Sequence, residues 1–237
     1  MKRTLIVIPA FNEAQSLPQL IGTVRRHLPD AEILVVDDAS TDSTMALLPQ
    51  LGVRWVRLSQ RLGTGSAVRT GLRYAASHGY DLVVRIDGDG QHPPEEIHRL
   101  LDPLLRGSGD VVIGSRYAGG QPADTPRLRR LLHRMLGEVL TLMTQRVVTD
   151  PTSGFWAFGE TALHVLVDHH PPGYPEPELL LFLSRNGLRV IEVPVQMRTR
   201  TGGRTSLTPH RTWSAIARLL LLLVVVPLRS AVGASRD

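Results

Sequence analysis

Two carboxylates separated by a single glycine occur in the segment RIDGDGQH, residues 85–92, directly after a short apolar run. Asp87, Asp89 and Gln91 fall at alternate positions and offer the hard oxygen ligands that Mg²⁺ or Mn²⁺ binds. Gly88 would let a diphosphate approach the backbone, and a metal ion there would neutralise a departing diphosphate. The same residue types also favour a solvated Asp-Gly turn, which is the competing interpretation.

A second acidic segment, DDASTD at residues 37–42, follows another apolar run. Ser40 or Asp42 could simply cap the next helix, but capping explains Asp38 poorly. A carboxylate at the carboxyl end of a strand can accept hydrogen bonds from a base or a ribose hydroxyl. The segment PAFNE at residues 9–13 adds a ring and a further acceptor. Together the two segments predict a nucleoside pocket.

A glycine-containing segment, LGTGSAV at residues 62–68, suggests a dinucleotide-binding loop, with Asp87 about 20 residues downstream as such loops require. Val68 stands where the third glycine is needed, and the segment follows the third apolar run instead of the first. Hydride chemistry on a nicotinamide cofactor is therefore a minor alternative. A tight loop that enters a helix fits better.

Apolar runs of strand length alternate with helix-period segments along the first half of the chain. The runs lie at residues 5–8, 33–36, 53–56, 82–86 and 111–113, and the helices are predicted at 16–28, 41–50, 65–78 and 94–105. This alternation predicts an α/β fold with a mostly parallel sheet flanked by helices. Ligands bind at the carboxyl ends of such strands, so the acids that follow the runs should meet at one edge.

The second half of the chain is less regular. It contains a long amphipathic stretch at 126–145 and a loop at 150–154, and it predicts a helix that begins at residue 176 and a strand at 188–195. The chain ends with an apolar segment, residues 213–228, which includes the uninterrupted run 219–226. That run is too short to span a bilayer.

Composition limits the class of protein. With 237 residues, 42% of them hydrophobic, the chain suits one large domain. The absence of cysteine excludes disulfides and thiolate metal sites. The start shows no secretory pattern. The net charge of +5 is compatible with a membrane surface or a phosphorylated ligand, but we find no aromatic-interleaved basic strand or zinc-finger spacing, so no nucleic-acid partner is expected.

Seven short motifs occur in order along the chain: IPAFNE, VVDDASTDST, RLGTGSAVRTGL, DGDGQHPPE, GSRY, DPTSGF and RTGGRTS. In this order they resemble the family 2 glycosyltransferases of the GT-A fold, especially the polyprenyl-phosphate sugar transferases of the dolichol-phosphate mannose synthase type. The resemblance covers residues 4 to about 207. It implies a Rossmann-like GT-A sheet and a nucleotide-diphosphate sugar as donor.

The resemblance also assigns roles to individual residues. It implies that the donor nucleotide contacts Pro9, Phe11, Glu13, Val36 and Asp38, and that Asp87, Asp89 and Gln91 hold the metal and diphosphate beside Gly88. Arg116 and Arg130 would meet the acceptor phosphate, with Arg127 and Arg129 as competitors for the second role. Arg200 would close over the donor from a glycine-containing loop, although Arg204 and Thr205 depart from the family pattern there.

The implied reaction is a single displacement that inverts the anomeric carbon, with Mg²⁺ or Mn²⁺ as cofactor. The predicted catalytic residues are Asp89, Arg116, Asp150 and Glu178. An alcohol acceptor would need a general base, for which Asp150, Glu176 and Glu178 are candidates, whereas a phosphate acceptor is already an anion. Acids at the start of a helix, such as Glu178, are also favoured by the helix dipole alone.

The predicted domain organisation is a catalytic domain at 1–208 and an apolar, membrane- or partner-associating helix at 209–237. Arg211, Arg218 and Arg229 accompany the apolar run. This pattern predicts peripheral attachment to the cytoplasmic, inner face of the membrane. Pairing in a homodimer or with a small membrane protein would also cover the run. For the stretch 126–145, ordinary packing against the sheet is the alternative.

Three other functions remain open at this point. The acceptor could be a cell-surface polysaccharide or a lipid-linked glycan. An enzyme of sugar-nucleotide synthesis or hydrolysis could also combine a nucleotide pocket with an acidic metal site. A catalytically silent donor-binding relative is a further alternative, which the intact acids disfavour.

Overall fold

The structure, a computed structural model, describes residues 2–119, 127–168 and 176–198. Within them, seven strands form one sheet: β1 Thr4–Ala10, β2 Glu32–Asp37, β3 Arg54–Arg57, β4 Leu82–Arg85, β5 Val111–Ser115, β6 Trp156–Gly159 and β7 Val190–Pro194. Their order is β3-β2-β1-β4-β6-β5-β7. β6 runs antiparallel to both of its neighbours, and the other neighbouring pairs are parallel.

Helices connect the strands. They are α1 Leu17–His27, α2 Thr44–Leu47, α3 Thr64–Ser77, α4 Ile97–Leu105, α5 Arg127–Thr144, α6 Glu160–Asp168 and α7 Glu176–Arg185. One-turn 3-10 segments, Leu48–Leu51 and Pro94–Glu96, follow α2 and precede α4. No helix in these described ranges is long and apolar enough to cross a bilayer.

The centre of the sheet is covered on both faces, which explains the uninterrupted apolar runs. Leu5, Ile6, Val7 and Ile8 of β1 have 0% exposure, as expected for a parallel strand between two helical layers. On one face, Ile6 and Ile8 belong to a core that includes side chains of α1 and α4. On the other face α3 lies directly on β1, because a Cβ at Gly71 would overlap the Val7 side chain.

The α/β prediction is confirmed, including the five apolar runs as strands. The helix predicted at 41–50 is shorter than expected, because the 3-10 segment that contains Pro49 replaces its second half. β6 and α6 were not predicted. The C-terminal helix predicted at 209–237 lies outside the described residues.

Candidate active site

The Asp87 and Asp89 carboxylates lie just beyond the carboxyl end of β4. Asp89 is 9% exposed, and its Oδ1 accepts a hydrogen bond of 3.0 Å from the backbone N–H of Gln91. The Asp87 side chain is 32% exposed. The loop therefore folds around Asp89 and leaves Asp87 partly exposed.

Gly88 lets this loop approach the loop that follows β1. A Cβ at Gly88 would lie 3.2 Å from the Pro9 carbonyl oxygen and 3.3 Å from Glu13 Cγ. The two segments that the sequence singled out separately, 9–13 and 87–89, are thus in contact. Pro9 also pairs with Val36 of β2 across the sheet.

Asp38 is buried after β2 and holds the glycine-containing loop. Its two carboxylate oxygens accept hydrogen bonds from the backbone N–H groups of Leu62, at 2.7 Å, and Gly63, at 2.8 Å. Gly63 has φ of 92° and directly precedes α3, so the loop enters a helix as predicted. Next to it, the Arg61 guanidinium lies 3.9 Å from the centroid of the Phe11 ring.

Side-chain hydrogen bonds connect the loop after β1 to the loop after β2. Asn12 adopts a left-handed backbone with φ of 58°, and its side-chain oxygen accepts the backbone N–H of Thr41 at 2.8 Å. The Glu13 N–H donates to Thr44 Oγ1 at 3.0 Å, and Ser16 Oγ donates to the Glu13 carboxylate at 2.8 Å. Glu13 is thereby fixed at the same edge as Asp38.

Arg116 follows β5 and is clamped by Asp150. Its Nε and Nη2 each donate to one Asp150 oxygen at 2.7 Å, and its backbone N–H donates at 3.0 Å. Nη2 also donates to Thr152 Oγ1 at 2.9 Å. Burial lowers the pKa of Arg116, but the Asp150 carboxylate outweighs it and the pKa is raised. Asp150, proposed from sequence as a base, is a fully buried partner of this guanidinium.

A half-buried glutamate, Glu192 of β7, supports the loop that carries Asp150. It accepts hydrogen bonds from the backbone N–H groups of Thr149, at 2.9 Å, and Asp150, at 3.1 Å, and from the Thr149 hydroxyl. Burial raises the pKa of Glu192, partly opposed by these hydrogen bonds. Sequence reasoning missed this residue, since nothing local to β7 shows which loop it meets.

His92 is a structural neighbour of Asp87. Its Nδ1 accepts the Asp87 backbone N–H at 2.9 Å, and its ring stacks on Phe155 with centroids 5.1 Å apart. Burial lowers the pKa of His92, against the opposing effect of Asp87 and Asp89. The imidazole is therefore neutral at pH 7, with Nε2 carrying the proton 3.9 Å from Asp87 Oδ2.

The candidate acids Glu176 and Glu178 lie in the first turn of α7. Glu176 accepts a hydrogen bond of 3.1 Å from Arg85 Nη2, and the same nitrogen donates to Asp87 Oδ1 at 3.2 Å. Glu178 is half-buried. Arg85 was also missed from the sequence, although a charged residue in the strand LVVR was a visible signal.

A half-open cavity of about 280 Å³ lies beside the Arg116 loop, between α5 and the segment that precedes Asp150. It is lined by Tyr117, His133, Arg134, Gly137, Glu138, Thr141, Val147, Val148 and Thr149. Arg127, Arg129 and Arg130 belong to α5, but their side chains lie outside the described part of the structure. Arg200 lies outside it altogether.

The architecture is that of a GT-A protein, with acids at the carboxyl ends of three strands of its sheet. The family model for Glycosyl transferase family 2 matches residues 5–166. The chain belongs to this family, and the resemblance inferred from the motifs is confirmed.

Curated relatives agree. The chain is 34% identical over 214 residues to polyprenol monophosphomannose synthase of Mycolicibacterium smegmatis, which covers 85% of this chain and 80% of the relative. It is 31% identical to undecaprenyl-phosphate mannosyltransferase of Micrococcus luteus, over 87% of this chain and 88% of the relative.

Among solved structures, glucosyl-3-phosphoglycerate synthase from Mycobacterium tuberculosis in complex with Mg²⁺ and uridine diphosphate superposes with a TM-score of 0.70 at 26% identity. The match covers 94% of this chain and 79% of that one. The same enzyme has also been solved with Mn²⁺ and uridine diphosphate. That enzyme, which shares the fold of this chain, therefore accommodates a divalent ion together with a nucleotide diphosphate.

Proposed function

We propose that this protein transfers a sugar from a nucleotide diphosphate to a polyprenyl phosphate, with inversion at the anomeric carbon. The observation that carries the proposal is that one sheet edge presents both an acidic loop, with Asp87 and Asp89, and a guanidinium fixed by Asp150, that of Arg116. These groups suit a metal-bound diphosphate and an acceptor phosphate, respectively. Trp156 of β6 pairs with Arg85 of β4 and with Ile113 of β5, so the loops with Asp87 and Arg116 both leave this edge. The names of the curated relatives support the acceptor class.

The donor's nucleoside is assigned to the pocket between the loops after β1 and β2. Pro9, Phe11, Glu13, Val36 and Asp38 form its proposed lining. Asp38 has oxygen lone pairs beyond the two that hold Leu62 and Gly63, so it can accept a further hydrogen bond. The Arg61 guanidinium already lies over the Phe11 ring. A nucleobase that stacks on Phe11 would therefore also contact Arg61.

Asp87, Asp89 and Gln91 would hold Mg²⁺ or Mn²⁺. Their oxygen-only chemistry suits both ions. Across the described residues no three His, Asp or Glu side chains are grouped so as to hold a metal ion. Phosphate oxygens and water would have to complete the coordination of an ion at this place. When bound, the ion supplies charge neutralisation for the departing diphosphate. We assign Arg200 to the same diphosphate.

Arg116 is assigned to the acceptor phosphate, with Arg130 as the second contact. The Arg116 side chain is 22% exposed, so a phosphate can reach it, while the clamp by Asp150 fixes its orientation. A phosphate oxygen attacks the anomeric carbon, the bond from that carbon to the donor diphosphate breaks, and the electron pair leaves with the nucleotide diphosphate. Since the acceptor is already an anion, the transfer needs no general base, and we assign Asp150 to positioning Arg116. Glu178 stays a candidate base for an alcohol acceptor.

The proposed site of action is the cytoplasmic face of a membrane. Apolar side chains on and after α5 are exposed: Leu131, Met135, Leu142 and Val147. They lie on the helix and the segment that border the cavity beside Arg116, where a lipid acceptor would deliver its phosphate. A homodimer or a small membrane protein could cover the same apolar residues.

The test is transfer from a panel of nucleotide sugars to polyprenyl phosphate in the presence of Mn²⁺, with Arg116→Ala beside the wild type. Loss of a charge-assisted contact of about 1.5–3 kcal/mol should slow transfer roughly 10- to 150-fold, with donor affinity nearly unchanged. Arg106→Ala, which removes the exposed arginine directly after α4, is the matched control. Melting curves check that Asp150 tolerates the loss of its partner.

Other outcomes identify the competing functions. Efficient transfer to a water-soluble sugar alcohol would favour the polysaccharide alternative. Consumption of donor without any acceptor would indicate hydrolysis or synthesis of sugar nucleotides. Tight donor binding with no turnover on any acceptor would indicate a silent relative.

A further inference from the structure

Arg85 places a fully buried guanidinium beneath the acidic side of the site. It is the last residue of β4, between the buried Val84 and Ile86, and its side chain is 4% exposed. Its Nε and Nη2 donate to Asp87 Oδ1 at 3.3 and 3.2 Å. The same Nη2 donates to Glu176 Oε1 at 3.1 Å. One guanidinium therefore joins the loop after β4 to the first turn of α7.

Packing alone does not account for an arginine here. The rest of β4 is apolar, and an isolated buried charge is strongly unfavourable unless it is paired. Burial lowers the pKa of Arg85, and the carboxylates of Asp87 and Glu176 more than compensate, so the guanidinium stays charged. Its burial also keeps it from touching a donor. Its effect on the site must pass through the two carboxylates.

The loop at 150–154 is shaped around this cluster. A Cβ at Gly154 would lie 2.5 Å from Asp87 Oδ2 and 3.0 Å from Arg85 Nη2. Asp87 Oδ1 thus faces Arg85, while Oδ2 faces the Gly154 backbone and the His92 ring. Both oxygens are oriented by fixed neighbours, and the Asp87 side chain is still 32% exposed.

We propose that Arg85 is a positioning residue for the metal–diphosphate half of the site, fixing the Asp87 carboxylate and coupling it to α7 through Glu176. This inference rests on the proposed function. The planar guanidinium presents several N–H donors in fixed directions, so one side chain orients one acid and restrains a second. A lysine would keep the charge but could not direct two N–H groups at Asp87 Oδ1 and reach Glu176 Oε1 at the same time.

The experiment measures Mn²⁺ binding by calorimetry in the presence of UDP or GDP, together with melting temperature. Arg85→Met should raise the Mn²⁺ concentration at half-saturation by about tenfold or more, as for other groups that orient metal ligands. Arg85→Lys should fall between Arg85→Met and the wild type. Arg189→Met is the matched control. Arg189 pairs with Asp110 at the amino-terminal ends of β5 and β7, at the sheet edge opposite the candidate site. Arg189→Met should lower the melting temperature and leave Mn²⁺ binding unchanged.

A double variant, Arg85→Met with Glu176→Gln, separates orientation from charge balance. Weak Mn²⁺ binding in the double variant supports orientation of Asp87 by Arg85, and full recovery overturns it. Wild-type affinity in folded Arg85→Met also overturns the inference and leaves the proposed function intact. If the wild type binds neither Mn²⁺ nor nucleotide, the proposed function fails and the inference fails with it.

Discussion

At the scale of single residues, the two acids of the candidate metal site have different surroundings although only Gly88 separates them. Asp89 is buried and shapes its own loop through the Gln91 N–H, whereas Asp87 is partly exposed and contacts Arg85 and Gly154. Substitutions at the two positions should therefore have different effects. A change at Asp89 should disturb the loop conformation as well as the binding of the ion.

Asp89→Asn removes a charge and keeps the shape and one acceptor oxygen, so the fold should survive. Losing a charged ligand should reduce transfer by at least about 100-fold, the upper end of what loss of a supporting group costs. Transfer rate and melting temperature are the measurements, and Asp102→Asn, an exposed acid of α4, is the control. Activity that persists in EDTA would contradict the metal site.

Asp38→Ala should weaken nucleotide binding and also destabilise the protein. The substitution removes the acceptor of the Leu62 and Gly63 N–H groups. Each lost hydrogen bond in this partly exposed loop should cost about 0.5–1.5 kcal/mol. Asp38→Asn keeps an acceptor and should be milder on stability. Calorimetry with free nucleotide diphosphate measures the binding, and unchanged affinity in folded Asp38→Ala would remove Asp38 from the pocket.

At the scale of elements, Glu192 makes the attachment of β7 to the Asp150 loop sensitive to pH. Its raised pKa means that the folded state favours the protonated carboxyl. The stabilisation is complete below the unfolded pKa of about 4.3 and is lost as pH rises through the higher folded pKa.

Glu192→Gln stays neutral and keeps an acceptor for the Thr149 and Asp150 N–H groups. Its melting temperature should therefore exceed that of the wild type at pH 7, and the difference should shrink toward pH 4. Glu138→Gln, at a 70% exposed position, should show no such trend. A lower melting temperature for Glu192→Gln at pH 7 would show that the ionised carboxylate is the stabilising form.

The contact between α3 and β1 leaves no room for a side chain at Gly71. Gly71→Ala would press a methyl group into Val7, a β-branched and stiff residue, and should cost about 1–3 kcal/mol. Adding Val7→Ala should relieve part of the clash and restore part of the free energy of unfolding. Gly22→Ala in α1, where no atom lies within 4 Å of the added Cβ, should instead be neutral or stabilising. Urea unfolding of the three variants measures the differences.

These elements show what the sequence could and could not predict. β1, β2, β4 and β5 were predictable because each contains an apolar run of strand length, and the acids that follow β1, β2 and β4 marked the site. β3, RWVR, was predicted from the shorter signal of Val53, Trp55 and Val56. β6 was not, because WAFG is short and its place depends on pairing with β4 and β5. Asp150 was selected as an acid in a loop, but its Arg116 partner is 34 residues away. Such pairs follow from tertiary contacts that periodicity does not encode.

At the scale of the whole molecule, the exposed apolar side chains of α5 define the surface proposed to meet the membrane. Leu131 is 54%, Met135 53% and Leu142 74% exposed. Leu142→Glu should reduce flotation with anionic vesicles, since a charged side chain opposes insertion into the interface. Leu105→Glu on α4, at a 55% exposed leucine, is the control. If the wild type stays soluble with such vesicles at low salt, the surface belongs to another subunit or partner.

The antiparallel strand β6, which lies between β4 and β5, also sets the order in which the growing chain can fold. The block β3-β2-β1-β4 is complete once Arg85 has been synthesised, but β5 pairs only with β6 and β7, which come later. Until Gly159 emerges, β5 has no strand to join and the edge of β4 stays unpaired, for on the order of ten seconds at ordinary translation rates. An unpaired apolar edge is a template for aggregation. The nascent chain is therefore most in need of a chaperone between the synthesis of β4 and that of β6.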